Sequence, residues 1–390
     1  MAIAISPEQR ALQASIREWA KQADTLALVR GLEPGASPPG ELVTEDVWHA
    51  AADLGIFSIA LPAAAGGAGG TVTDLAAALE QLTCALVPGP VLPTLLAGLL
   101  LRDSVDPAAV DLLPALAAGR ASVAVGLTAG TLTAVRLADG ALRVSGDIGP
   151  VLGAGATSYL LLGAITDDGE ASGPAEVWFL IPAGHPGVEV AACRPVDFSR
   201  PLASIRLTGV IVAPGGVVTG LTTVAVRDLA ATLCCAEAVG VAGYCCDTAA
   251  AYARTRHQFG RPIGSFQAVK HLCAGMLCRA ERATAAAWDA AHAADEAPGE
   301  HPLAAAAAAA LALDAAVDNA KDCIQVLGGI GFTWEHDAHL YLRRAVALRQ
   351  LLGGSAAWRA RAGELALAGG RRQLNVVAER ALGLPREKVR

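Results

Sequence analysis

Apolar positions from Ser6 to Leu28 recur with the spacing of a helix that buries one face. Ser6-Pro7-Glu8-Gln9 opens that helix with an N-cap, a proline at the first helical position and a reciprocal acceptor. A Pro- and Gly-rich loop, Gly31 to Gly40, leads to a second helix over Thr44–Leu54, with Gly55 as its C-cap. The following PAAAGGAGG holds Gly66, Gly67, Gly69 and Gly70. No strand precedes it and no Lys follows, so it reads as a flexible connector rather than a phosphate cradle. Further helices are expected over Thr73–Leu86, Thr94–Arg102 and Pro107–Ala118, with Pro88, Pro90 and Pro93 as interruptions. Residues 1–118 are therefore an all-helical domain.

The pattern changes at Ala121. SVAVGL, TAVRL, ALRVSG, SYLLLGA, EVWFLI, VEVAAC and SIRLTGVIV are short, β-branched and punctuated by Gly, Pro or Asp. This spacing predicts an antiparallel barrel or sandwich over residues 119–218. GAGATS at Gly153 looks like a dinucleotide fingerprint, but no helix follows it, and it reads as a turn. Helical periodicity returns at Val224 and gives long helices over Val224–Arg256, Ser265–Asp295, Leu303–Leu327 and from Glu335 to Gly353-Gly354. Short links between them predict a four-helix bundle over residues 219–390, and the whole is an α+β multidomain chain.

Composition narrows the function classes. At 53% hydrophobic residues the chain is not disordered, and at 17% charged residues many helices must be buried on several sides. A net charge of −7 argues against nucleic acid as the main partner. No run reads as long and charge-poor enough to span a bilayer, and Ala304–Ala310 reads as a tightly packed helix. The N-terminus lacks a secretion signal, which makes the cytoplasm the expected compartment. Nine cysteines without a CxxC pair, including Cys234-Cys235 and Cys245-Cys246, read as small core residues.

The chemistry concentrates in Tyr252–His271, YARTRHQFGRPIGSFQAVKH. A helix carrying Arg254 and Arg256 breaks at Phe259-Gly260-Arg261-Pro262 and resumes at Ser265, the expected N-cap. Two guanidiniums at a tight turn can hold a diphosphate, because their planar forks match phosphate oxygens. A surface corner with solvated arginines explains the same residues.

RTRHQFGRPIGSFQAVKH, together with CIQVLGGIGFTWEHDAHLYLRRA from Cys323 to Ala345, resembles the signature segments of the acyl-CoA dehydrogenase family. SPEQRALQASIREWA and WHAAADLGIFSIALPAAAGGAGG resemble its opening helices and Gly-rich loop. The resemblance is greatest to actinobacterial members that act on branched or steroid-derived thioesters. It implies FAD bound across a dimer interface, with Arg256, Gln258, Phe259 and Gln267 at positions that hold the diphosphate and adenosine of a neighbouring subunit's cofactor. Gln325, Gly328 and Gly329 correspond to a second contact, where glycine leaves backbone open to a ligand. An acyl-CoA thioester substrate, an electron-transfer flavoprotein or similar acceptor, and a homo- or hetero-oligomer (dimer or tetramer) are implied as well.

The α,β-dehydrogenation that the family performs needs a carboxylate to take the α-proton and a flavin to take hydride. At the two family positions for that carboxylate this chain has Leu352 or Gly353, and Ala230. Glu237 lies about two helical turns beyond Ala230 on the same face, and Asp228 lies nearby, so these two are the candidate catalytic residues. For Glu237 the alternative is pairing with an arginine of the bundle. The family's flavin-ring strands also differ: VAVGLTAGTLTA (Val123–Ala134) lacks the Glu-Pro and DIGPVLGAGATS (Asp147–Ser158) lacks the Trp. Three readings follow: a dehydrogenase with a displaced base, a partner subunit that completes the FAD site of a sister chain, and a flavin-binding relative with another reaction such as an oxidase.

Overall fold

The computed structural model describes residues 5–33, 45–166 and 174–372. The loop expected at Gly31–Gly40 lies outside these from residue 34 on, as does Thr44. The first helices are α1 Pro7–Gln22, α2 Thr25–Gly31, α3 Glu45–Asp53, α4 Val72–Cys84, α5 Val91–Leu101 and α6 Pro107–Ala117. Eight strands follow: β1 Val123–Val125, β2 Leu132–Arg136, β3 Leu142–Leu152, β4 Tyr159–Thr166, β5 Ala175–Pro182, β6 Val188–Ala192, β7 Leu202–Val212 and β8 Val217–Val218. The remainder is α7 Thr223–Thr255, a small hairpin of β9 His257–Gln258 and β10 Arg261–Pro262, then α8 Gln267–Glu296, α9 His301–Leu327, α10 Ala338–Leu351 and α11 Ser355–Leu367. The expected order of helices, sheet and helices stands. The described residues form two compact units, one holding Ala20–Leu75 and Leu86–Ala230, the other the residues up to Trp19, Ala76–Ala85 and those from Ala231 on.

The first expected helix is two. Asp24 adopts the left-handed conformation at φ 46°, which a short polar side chain tolerates, and so separates α1 from α2. The capping box at Ser6 forms as expected: Gln9 N donates to Ser6 Oγ at 3.1 Å and Ser6 N to Gln9 Oε1 at 2.9 Å. The glycine-rich stretch after Leu61 is not a loose connector. Gly69 N and Gly70 N donate to Leu61 O and Ile59 O, and a Cβ at Gly67 would lie 2.1 Å from Leu61 O. Glycine is required there because the chain folds back against its own backbone.

In the sheet-bearing unit the strands run in the order β6-β7-β3-β2-β4-β5-β8, with β1 alongside β4. Most pairs are antiparallel, but β1 and β2 both run parallel to β4 (Val123↔Tyr159, Thr133↔Ile165), so the sheet is mixed. Alternation reports which face of a strand is buried and carries no information on the partner's direction. β7 alternates buried and exposed, whereas β4 is buried on both faces. Leu142, Val144, Leu160, Leu162, Phe179, Ile205 and Leu207 centre its core. α5, buried along nearly its whole length, fixes β1 through the hydrogen bond from Val123 N to Thr94 Oγ1 at 3.2 Å.

The helical unit is built on α9, which packs against α8, α10 and α11. The sequence reading stopped at Gly354 and did not include α11. Small residues let the helices approach closely: Ala304, Ala305, Ala306, Ala308 and Ala309 are all buried, and a Cβ at Gly240 of α7 would lie 2.3 Å from Glu80 O. Cys234, Cys235, Cys245 and Cys246 are buried, as small core residues would be. Two stretches, Thr223–Thr255 and His301–Phe332, are in fact long and apolar enough to cross a membrane, which corrects the sequence reading. Both are mostly buried inside the protein, so their apolarity serves the core.

Asn319 joins three of these helices. Fully buried on α9, its Nδ2 donates to Ala242 O of α7 at 3.0 Å and to Met276 O of α8 at 2.9 Å. Its Oδ1 accepts from Arg279 Nε of α8 at 2.8 Å. Asn319→Ala should therefore destabilise the chain by about 3 kcal/mol, measured by urea unfolding, because it opens a void and takes the acceptor from Arg279 Nε. A second buried group sets a pH dependence. Burial lifts the Glu80 carboxyl above its ordinary range, against hydrogen bonds from Trp288 and Gln13 and the nearby Arg17 charge. The folded chain then holds this proton more tightly than the unfolded chain, so Glu80 removes stability as pH rises from the ordinary carboxylate range through its raised value. Glu80→Gln should flatten that part of the stability profile, measured by unfolding at a series of pH values.

Candidate functional site

The residues singled out at Arg256–Gln267 sit where α7 hands over to α8. β9 and β10 pair with Arg261 opposite Gln258, and the two residues between them, Phe259 at φ 52° and Gly260 at φ 79°, make a tight turn with both φ positive. Gly260 suits such a turn. Phe259 does not, and its ring is 90% exposed. The hairpin is tied down behind its tip: Ile263 N donates to Arg256 O at 2.8 Å, and a Cβ on Gly264 would meet Ala253 O at 2.8 Å. Arg256 and Gln258 are exposed on this rigid support, and the Arg261 guanidinium lies 4.1 Å over the Phe266 ring.

Ser265 is not the N-cap. It lies in a 3-10 turn, Ile263–Ser265, and its hydroxyl donates back to Pro262 O at 2.7 Å. α8 starts two residues later at Gln267, directly after the arginine-bearing hairpin, and no side chain caps its first N–H groups. Gln267 is exposed, and its Nε2 lies 3.0 Å from His271 Nε2. The second set sits on a separate turn. α9 ends at Gly328, at φ 66°, and Gln325, Gly328 and Gly329 are all exposed. A Cβ on Gly328 or Gly329 would meet nothing within 4 Å. Phe332 and Trp334 beyond them are 89% and 54% exposed.

The carboxylates are placed differently. Glu237 is buried on α7 and forms an ion pair with Arg344 of α10, itself 1% exposed, at 3.7 Å. Asp228 is buried near the start of α7. Leu352, at one position that the family resemblance assigns to the base, is 1% exposed, and Trp358 Nε1 donates to its carbonyl at 3.0 Å. Gly353 and Gly354 both have positive φ, at 82° and 85°, and Ser355 Oγ donates to Asp314 Oδ1 at 2.6 Å. Burial works against the Asp314 charge, but hydrogen bonds from Ser355, Arg359 and Arg349 outweigh it and lower its pKa. Asp314 thus anchors the Gly-Gly-Ser turn from below. Sequence reading missed Asp314 and Arg344, whose only signal was charge inside apolar helices.

Comparison with known proteins bears on the same segments. The profile of the acyl-CoA dehydrogenase N-terminal domain matches residues 6–120, and that of its C-terminal domain matches residues 227–364. The chain belongs to the acyl-CoA dehydrogenase family. It is 44% identical over 389 residues to acyl-CoA dehydrogenase FadE34 of Mycobacterium tuberculosis, covering 98% of this chain and 51% of that relative. It therefore spans about half the length of that relative. Among solved structures, the ChsE4-ChsE5 complex from Mycobacterium tuberculosis superposes with a TM-score of 0.83 at 26% identity, covering 95% of this chain and 100% of that one. The Tcur3481-Tcur3483 steroid ACAD superposes with a TM-score of 0.82 at 27% identity, covering 93% and 98%. Within the family fold, Glu237→Gln removes the carboxylate charge that faces the buried Arg344 guanidinium at 3.7 Å and should cost roughly 3 kcal/mol in chemical unfolding, whatever its effect on turnover.

Proposed function

We propose that the chain serves FAD-dependent α,β-dehydrogenation of a bulky acyl-CoA thioester as one subunit of a hetero-oligomer, and that it completes the cofactor site of a sister chain. The observation that carries this reading is a contrast within one molecule. The hairpin of Arg256, Gln258 and Phe259, the uncapped start of α8 at Gln267 and the open glycines Gly328 and Gly329 are exposed on rigid supports. Both positions that the family resemblance assigns to the base hold apolar residues, with Ala230 and Leu352 buried.

The residues present fit the diphosphate end of the cofactor. Arg256 would neutralise phosphate charge, the free N–H groups of α8 would accept an anion, and Gly328 and Gly329 would let backbone approach without side chains in the way. When bound, FAD supplies the acceptor for hydride from the substrate β-carbon. The flavin-ring strands lack the Glu-Pro and Trp of the family, and Asp147 is engaged with Arg206 at 2.8 Å. The ring and the proton-abstracting carboxylate are accordingly assigned to the sister chain. The solved relatives named for a two-protein complex and for a steroid substrate favour the hetero-oligomer and a wide acyl group. A second reading keeps chemistry in this chain, with Glu237 or Asp228 as base. The Arg344 pair speaks against Glu237, since a carboxylate held by a buried guanidinium must part from it to approach a substrate.

Purified alone, the chain should be colourless, and co-expressed with its partner it should carry a flavin spectrum. In that complex, Arg256→Ala should weaken flavin retention by roughly tenfold or more. A yellow homo-oligomer that turns over acyl-CoA would overturn the subunit reading. Loss of that turnover in Glu237→Gln, with the fold retained, would then establish Glu237 as base.

A further inference from the structure

α11 is held to the helical unit by charge more than by an apolar face. Of its 13 residues only Ser355 and Trp358 are buried, and Leu367 at its end is exposed. α9, on which it packs, is buried along most of its length. At the front of α11, Ser355 Oγ and Arg359 Nη1 donate to the Asp314 carboxylate of α9 at 2.6 and 2.9 Å. Behind α11 the chain turns at Gly369-Gly370, where Gly369 N donates to Ala366 O and Gly370 N to Leu365 O. Beyond that turn Arg372 reaches α8 and the start of α9. Its Nε and Nη2 donate to the two oxygens of Asp289 at 3.0 and 2.6 Å, and its Nη1 donates to Glu300 at 2.6 Å. We propose that α11 is a hinged strap: it lifts from α9 about the Gly353-Gly354 turn when dissolved salt loosens the clasps at Asp314 and Arg372, while the rest of the helical unit stays folded.

Three features support the strap. Asp314, Arg359, Asp289, Glu300 and Arg372 are all partly open to solvent, so dissolved ions reach both clasps. The screening length falls from about 10 Å at 0.1 M salt to about 3 Å at 1 M, and attraction between such charges weakens with it. Without the clasps, little but Trp358 and Ser355 ties α11 down, and a helix of 13 residues is marginal in water by itself. Its opening therefore needs no disruption of the alanine-lined core beneath it. The hinge is present as well. Gly353 and Gly354 are consecutive, both have positive φ, and a Cβ on either would meet nothing within 4 Å, so the backbone has room to rotate there. Lifting α11 withdraws Ser355 from Asp314 and the Trp358 indole from the Leu352 carbonyl. Leu352, buried while the strap is closed, is then reached by solvent, so the strap controls access to that position.

The strap does not depend on the cofactor reading. The test is amide hydrogen exchange of the full chain, read peptide by peptide by mass spectrometry, in low salt and in about 1 M sodium chloride. The expected result is that the amides of Ser355–Leu367 exchange roughly tenfold or more faster in high salt, while those of α9 are unchanged. In low salt, Arg372→Ala and Arg359→Ala should each give α11 the faster exchange that the unaltered chain shows only in high salt, again with α9 unchanged. Exchange of α11 that ignores salt, or that rises only together with α9, overturns the proposal. So does exchange of α11 in Arg372→Ala equal to that of the unaltered chain in low salt. Where a variant fails to fold, the salt series on the unaltered chain decides.

Discussion

A single side-chain amide ties the helical unit together. Asn319 gives both its protons to carbonyls of two other helices and takes one from Arg279, which also pairs with Asp322. Helices lined by alanine and glycine have little side-chain relief to set their register, because smooth surfaces slide. A buried amide that must satisfy its donors removes that freedom, since any slip would strand polar atoms in a dry core. The axial positions of α7, α8 and α9 then follow, and with them the turns at their ends. The hairpin at Phe259 and the glycines at Gly328 are surface features held in place by a contact well inside the bundle.

Much of this was legible in the chain, for physical reasons that differ by element. The strands β1 to β7 all appear where the β-branched runs placed them, because alternation and flanking turn residues are local properties. The parallel pairing of β1 and β2 with β4 was not legible, since strand direction is decided by the connections. The break at Asp24 was missed and Ser265 misread for one reason. A polar residue near a helix end can cap, break or turn the chain, and only the backbone angles decide among them. The glycines after Leu61 were taken as freedom, whereas at Gly67 and Gly70 glycine answers crowding by the chain's own backbone.

The candidate site divides in the same way. Arg256, Gln267 and Gly328 belong to short motifs whose spacing carries meaning, so sequence alone nominated them. The Glu237–Arg344 pair joins residues far apart in the chain, and Asp314 reaches Ser355 and Arg359 from another helix. An arginine partner for Glu237 was among the readings of the sequence, but which arginine, and the partners of Asp314, depend on tertiary packing that local patterning does not report.

The buried state of Leu352 has an evolutionary corollary. A glutamate placed there by one substitution would enter a site 1% exposed to solvent, beside an indole whose donor already serves the backbone carbonyl. It would cost several kcal/mol as an uncompensated charge before it could abstract anything. Neighbouring residues would have to open the pocket first, at no benefit to themselves. Leu352 is thus a position at which a single substitution does not readily install a working carboxylate.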